Sequence, residues 1–145
     1  KDEIQGCTHL AMTLGEVNAE EPTLVRVHTR TEVLRDVVGA ISPENGRKWT
    51  MRKALEKVAA EGKGVVLLLD TNERIDISDS VDLIQNGRQQ SKVNVSASGA
   101  YLTVGTGSQI LRDLGVSKMR LLSSPMKFNA ISAFDLEIEE YIPCE

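Results

Sequence analysis

The sequence predicts an α/β fold: a single layered domain in which a mixed β-sheet is flanked by helices. Segments that alternate with period two trade places along the chain with segments of helical spacing, the order that lays helices against a sheet. Val65-Val66-Leu67-Leu68-Leu69 is apolar at every position, as a strand covered on both faces must be. The chain opens with two extended stretches joined by a turn, which predicts a mixed rather than a purely parallel sheet. At 145 residues, the whole of 1–145 fits one domain with a core of its own.

The first apolar stretch is Thr8 to Leu14; Gly15 and the polar run to Pro22 form a turn. Thr23 to His28 alternates, with Leu24, Arg26 and His28 on one face and Val25 and Val27 on the other, a strand pattern. Val33, Leu34, Val37 and Val38 then recur at helical spacing up to Gly39, and Ser42 to Gly46 is a loop by turn chemistry. The clearest helix follows: Met51, Ala54, Leu55, Val58 and Ala59 make one apolar stripe, and Gly62 stops it. Beyond the central strand, Asp70 to Gly99 is polar; it predicts a short strand near Ile75–Ile77, a helical piece at Val81–Ile84 and a strand near Val93–Val95. Ser108 is the expected N-cap of a helix running to Leu114, which Gly115 ends. Met119 to Leu122 predicts a strand, Pro125 the first turn of a helix to about Ala133, and Leu136 to Ile142 a half-exposed strand.

Net charge is −4, without the basic excess of a nucleic-acid binder. The longest aliphatic run, Val65 to Leu69, is far too short to cross a bilayer, and no signal-peptide layout is present. Two cysteines, Cys7 and Cys144, make no disulfide framework, so a reducing, cytoplasmic setting is expected. The first residue is Lys1 rather than Met, which suggests a piece of a longer chain.

Several clusters could carry chemistry. Cys7 and His9, two apart on an expected strand, could join His28 or Cys144 around a metal; a buried free thiol and satisfied histidines are the simpler reading. Gly105-Thr106-Gly107 before the Ser108 helix could cradle a phosphate, but it is short and lacks a P-loop lysine, so a plain turn is preferred. Asp76, Asp79 and Asp82 could crowd a cation, though exposed loop charge explains them as well. Trp49, the only tryptophan, is expected to anchor the start of the long helix.

Four segments in order carry a family likeness: Thr23-Leu-Val-Arg-Val-His28, the helix and strand from Ala54 to Leu68, Ile110-Leu-Arg-Asp-Leu-Gly-Val116 and Met119-Arg-Leu-Leu122. At this spacing they resemble GTP cyclohydrolase II of riboflavin biosynthesis, and with the opening His9-Leu-Ala and the closing strand before Pro143 the likeness covers nearly the whole chain. The resemblance implies an enzyme that opens the imidazole ring of GTP, releasing formate and pyrophosphate. It implies a zinc held by three cysteines to activate water, magnesium on the phosphates, and a catalytic arginine and aspartate.

This chain departs from the family pattern where that chemistry would be. Where the family closes a Val-His-Ser-Glu-Cys segment, this chain has Val27-His28-Thr29-Arg30-Thr31, so Thr31 replaces the first thiolate and Arg30 reverses an acidic charge. The segment that would hold the other two cysteines, Pro43 to Thr50, has none. Ala100 and Leu102 fall nearest the catalytic Asp and Arg. Arg26, Arg74, Ser123 and Lys127 match family positions near the nucleotide and could hold a phosphate-bearing ligand.

The resemblance therefore implies a catalytically inactive GTP cyclohydrolase II-like domain with no cofactor of its own. It further implies an upstream 3,4-dihydroxy-2-butanone 4-phosphate synthase domain in the same chain, where magnesium would act, and a homodimer. The expected role is structural or regulatory, with a phosphorylated small molecule as a possible ligand and neither nucleic acid nor membrane as partner. The alternatives are an active GTP cyclohydrolase II with a rebuilt site and a phosphate-ligand binding module.

Overall fold

The computed structural model describes residues 1–38, 48–70, 77–78, 81, 97–125 and 134–145. In order the chain forms β1 (Leu10–Leu14), β2 (Thr23–Thr29), α1 (Arg30–Val38), α2 (Met51–Glu61), β3 (Gly64–Leu69), α3 (Ala97–Asp113), β4 (Lys118–Leu121) and β5 (Glu137–Tyr141). The five strands make one sheet in the order β1-β3-β2-β4-β5. β1 runs antiparallel to β3, whereas β2 pairs in parallel with both β3 and β4, and β4 with β5. The sheet is mixed, as expected.

Alternation in β2 sorts its side chains onto two cores. Val25 joins Val65, Leu67, Leu69, Leu111, Met119 and Leu121 on one face, while Leu24 joins Ala54, Val58, Val66 and Leu122 on the other. Each fully buried Val or Leu is worth roughly 1.5–3 kcal/mol relative to exposure, so both layers hold the sheet. α2 covers the Leu24 face with Ala54 and Val58. Thr50 caps its start, accepting from the Lys53 amide at 3.3 Å, and Asp36 of α1 accepts from the Met51 amide at 3.2 Å. Gly62 ends it at φ +77°, a left-handed conformation that glycine adopts without penalty, and donates its amide to Val58 O. Trp49 anchors this helix start as expected, its Nε1 donating to Ile142 O at 2.7 Å.

α3 differs from expectation. It begins at Ala97, not at Ser108, and carries Gly105-Thr106-Gly107 in its interior. The reason is packing: Val104, Gly107, Ser108 and Leu111 form one inward stripe at helical spacing, and Gly107 lies over Leu69 and Val27. No turn exists there to cradle a phosphate. Ile77 is also helical rather than extended. The expected strand near Val93–Val95 and the helix after Pro125 fall outside the described residues. No helix among the described residues is long and apolar enough to cross a membrane.

Candidate functional site

The topology selects a place for a site. From β2 the chain crosses one face of the sheet through α2 to reach β3 on one side of β2. It then crosses the opposite face through α3 to reach β4 on the other side. Where successive connections leave in opposite directions, the carboxyl ends of adjacent parallel strands open a crevice, the usual ligand position in α/β sheets. Here that crevice lies between the ends of β2 and β4, with the end of β3 beside it. The residues that follow those ends are Arg30 and Thr31, Leu122 and Ser123, and Asp70.

At the end of β2 the sequence Thr29-Arg30-Thr31-Glu32 forms a reciprocal cap on α1. Thr29 Oγ1 accepts from the Glu32 amide at 3.3 Å, and Glu32 Oε2 accepts from the Thr29 amide at 2.8 Å. This fixes Thr31 within the first turn of α1. Its Oγ1 is buried and makes no hydrogen bond. Beside it, Arg30 Nη1 lies 3.0 Å from Asp70 Oδ1, an ion pair joining the ends of β2 and β3. Behind Asp70, its amide donates to His9 Nδ1 at 3.0 Å, and His9 Nε2 lies 3.8 Å from Asp2 Oδ2.

Beneath the crevice, Arg26 and His28 share the inward face of β2. Arg26 Nη1 donates to Leu122 O at 2.8 Å and Nη2 to Trp49 O at 3.3 Å. Its guanidinium lies against the buried His28 ring, with Nε 3.4 Å from Nε2. Glu32 completes the group: Oε2 is 3.4 Å from His28 Nδ1, and Oε1 is 3.9 Å from Arg26 Nη2. Burial pushes the Arg26 guanidinium below its ordinary value, and Glu32, Asp36 and Cys144 pull it back. Burial would raise the Glu32 carboxyl, but His28, the Thr29 amide and Arg26 outweigh it and hold the group below the usual carboxylate value.

Of the four residues matched to the nucleotide, Arg26 and Ser123 come together at the β4 end. Both face inward: Ser123 is buried and its Oγ donates to Ser124 O at 2.9 Å. Arg74 and Lys127 lie outside the described residues, as do Asp76, Asp79 and Asp82. Ala100 and Leu102 lie on the first turns of α3. Cys7, His9, His28 and Cys144 do not converge. His9 precedes β1 and serves the Asp70 amide, Cys7 Sγ contacts Gln5 O at 3.9 Å, and Cys144 Sγ is 3.6 Å from Lys53 Nζ. Glu32 was missed by sequence reasoning, although its spacing from Thr29 is that of a capping box.

The residues present do not fit a catalytic zinc. A neutral hydroxyl stands where the first thiolate would be, and the preceding residue, Arg30, is paired with the Asp70 carboxylate. Zinc in such sites is held by thiolate, imidazole or carboxylate donors. Among the described residues no three His, Cys, Asp or Glu side chains are grouped to hold a metal, and the segment from 39 to 50 contains no cysteine or histidine.

Comparison with known proteins identifies the family of the fold. The GTP cyclohydrolase II family matches residues 1–143. A Pseudomonas aeruginosa 3,4-dihydroxy-2-butanone 4-phosphate synthase is 53% identical across 100% of this chain, which covers 38% of that relative. A Cytophaga hutchinsonii riboflavin biosynthesis protein RibBA is 35% identical across 97% of the chain and 36% of its own length. The crystal structure of RibBX from A. baumannii, described as a two domain 3,4-dihydroxy-2-butanone 4-phosphate synthase, superposes with a TM-score of 0.54 at 33% identity over 92% of this chain and 31% of that one. The chain thus spans little more than a third of the length of the relatives it matches.

Proposed function

The chain belongs to the GTP cyclohydrolase II family, and from that membership we propose that it is a non-catalytic member of it. It keeps the sheet and helices of the family and has given up ring-opening chemistry. Its role is structural or regulatory, in support of a 3,4-dihydroxy-2-butanone 4-phosphate synthase domain in the same polypeptide. Its relatives bear the names of riboflavin biosynthesis proteins and extend well beyond the matched region, which supports that arrangement.

One observation carries the reading: at the carboxyl end of β2, Thr31 offers a buried, unpartnered hydroxyl where hydrolysis would need a thiolate, beside the Arg30–Asp70 ion pair. Water attacking a purine ring needs the acidification that a bound metal supplies, to a pKa near 7. A single neutral hydroxyl is a poor substitute for a thiolate as a zinc ligand. Neither Arg26 nor Ser123 replaces the lost groups: Arg26 is engaged by the carbonyls of Leu122 and Trp49 and packed against His28 and Glu32, and Ser123 Oγ donates to Ser124 O.

Two measurements on the full-length protein test this. Purified protein supplied with zinc, magnesium and GTP should release no formate above the buffer rate, and metal analysis should find no stoichiometric zinc. Formate release with bound zinc would establish the rebuilt-site alternative instead. Removing residues 1 to 145 from the parent should lower synthase activity, thermal stability or assembly. If all three are unchanged, the supporting role is wrong.

A further inference from the structure

The tail that follows β5 brings a thiol against an amine. Ile142 O accepts from Trp49 Nε1 at 2.7 Å, which lays the tail over the start of α2. Two residues further on, Cys144 Sγ accepts from Lys53 Nζ at 3.6 Å, a contact between positions 91 apart in the chain. Lys53 is the third residue of α2 and gives its amide to the Thr50 cap, so the helix start fixes the base of its side chain while the four-carbon stem stays flexible. A second cation stands close, since Cys144 is among the groups whose charge acts on Arg26.

The two cysteines are placed differently. Cys7 is buried, with Sγ 3.9 Å from Gln5 O, whereas Cys144 is half-buried and in contact with Lys53. Thiol chemistry depends on access and on the surrounding charge, because the thiolate is the nucleophile. Cys144 combines partial exposure with cations beside it. Cys7 does not converge with it and the chain has no other cysteine, so an oxidised Cys144 finds no thiol within this domain to close a disulfide. Sulfenic acids condense with a thiol or with nitrogen, and the nitrogen in contact here is Lys53 Nζ.

We propose that Cys144 and Lys53 form a peroxide-responsive covalent staple, an S–N bond between the tail after β5 and the first turn of α2. In the first step the Cys144 thiolate attacks hydrogen peroxide. An S–O bond forms, the O–O bond breaks, and the departing hydroxide takes up a proton as water, leaving a sulfenic acid. In the second step the Lys53 amine, having given up its ammonium proton, attacks that sulfur. The S–N bond forms, the S–O bond breaks, and the hydroxyl leaves as water with one amine hydrogen. Sulfur loses two electrons and the peroxide gains them; a thiol reductant returns both side chains to their starting state. The staple locks a junction that Arg26 and Trp49 already hold through the carbonyls of Leu122, Trp49 and Ile142.

Peptide mass spectrometry on the full-length protein tests this independently of the catalytic reading. After brief exposure to a few equivalents of hydrogen peroxide, digestion should yield the Lys53 and Cys144 peptides joined, with the mass of their sum less two hydrogens. Dithiothreitol should release them. The thermal midpoint of this domain should rise by several degrees on oxidation and return on reduction. K53R keeps the cation but removes the amine, so it should give neither the joined pair nor the rise, and C144S should be equally unresponsive. Cys144 left unmodified by peroxide, its sulfur joined to the Glu145 amide or carried on to sulfinic acid without Lys53, or a rise that persists in K53R would each overturn the proposal.

Discussion

Arg26 shows how a residue matched to a binding role can be consumed by the fold. Its two terminal nitrogens hold the carbonyls of Leu122 and Trp49, tying the end of β4 to the start of α2. Hydrogen bonds to a buried charge are worth about 1.5–3 kcal/mol, and removing one partner strands the other. Arg26→Ala should therefore destabilise the domain by roughly 2–4 kcal/mol in urea titrations. Arg26→Lys should recover only part, since one ammonium cannot span both carbonyls as the planar fork does. A neutral Arg26→Ala would return the residue to the solvent-facing, ligand-reaching role. Glu32 makes a pH-dependent counterpart. Its carboxyl is held below the ordinary value, so the unfolded chain binds its proton more readily than the native one. The stability it contributes is present above the unfolded value, about 4.3, and is lost as pH falls through the lower folded value. Because the side chain is 43% exposed, solvent screening keeps the effect modest. Glu32→Gln, which can still cap α1, should fall below the parent at pH 7 in denaturation midpoints, and the deficit should shrink as pH is lowered through the parent's folded value. A constant difference across that range would show that charge is not what Glu32 contributes.

Among the elements, those with an unbroken pattern were legible from sequence alone. The alternation of Leu24, Arg26 and His28 against Val25 and Val27 sorts β2 onto its two cores, and the stripe of Met51, Ala54 and Val58 with its Gly62 stop gives α2. The start of α3 was not legible, because Gly105-Thr106-Gly107 has the composition of a turn and only contact with the sheet reveals its use. The inward use of Arg26 and Ser123 was hidden too, since it depends on carbonyls brought from distant positions. Position between β2 and β4, by contrast, followed once strand order was known. The glycines can be sorted by what surrounds them. A Cβ on Gly107 would lie 3.6 Å from Leu69 Cδ1 and 3.9 Å from Val27 Cγ1, ordinary contact distances. Gly107→Ala should therefore stabilise by about 0.5–1 kcal/mol, the usual helix-interior gain over glycine. On Gly64 the same atom would come within 2.9 Å of Leu24 O and of Val58 Cγ2, where backbone and a stiff branched side chain cannot yield. Gly64→Ala should cost about 1–3 kcal/mol, the range for overpacking a core. Thermal melts of the two variants should move in opposite directions; a stabilised Gly64→Ala would mean that β3 and α2 have room for a methyl group between them.

At the scale of the molecule, scaffold and chemistry come apart because they draw on different residues. The sheet is held by two aliphatic layers, Val25, Val65, Leu67 and Leu69 on one side and Leu24, Val58, Val66 and Leu122 on the other, none of which a metal site needs. The end of β2 is held by the Thr29–Glu32 cap and the Arg30–Asp70 pair, so the crevice has its own internal ties. A fold built this way can lose its thiolates without losing its shape, and its stability should then be indifferent to zinc. The size of the alternative is known: a ligand present at a hundred times its Kd and bound only by the native state adds about 2.7 kcal/mol. For a domain of this size that corresponds to a rise in Tm of roughly 5–10 °C. We expect calorimetric scans of this domain's transition, with chelator and then with excess zinc, to differ by less than about 1 °C on the same scale. A rise of several degrees that is abolished by Thr31→Val would place a metal at the end of β2 and return the chain to the catalytic members of its family.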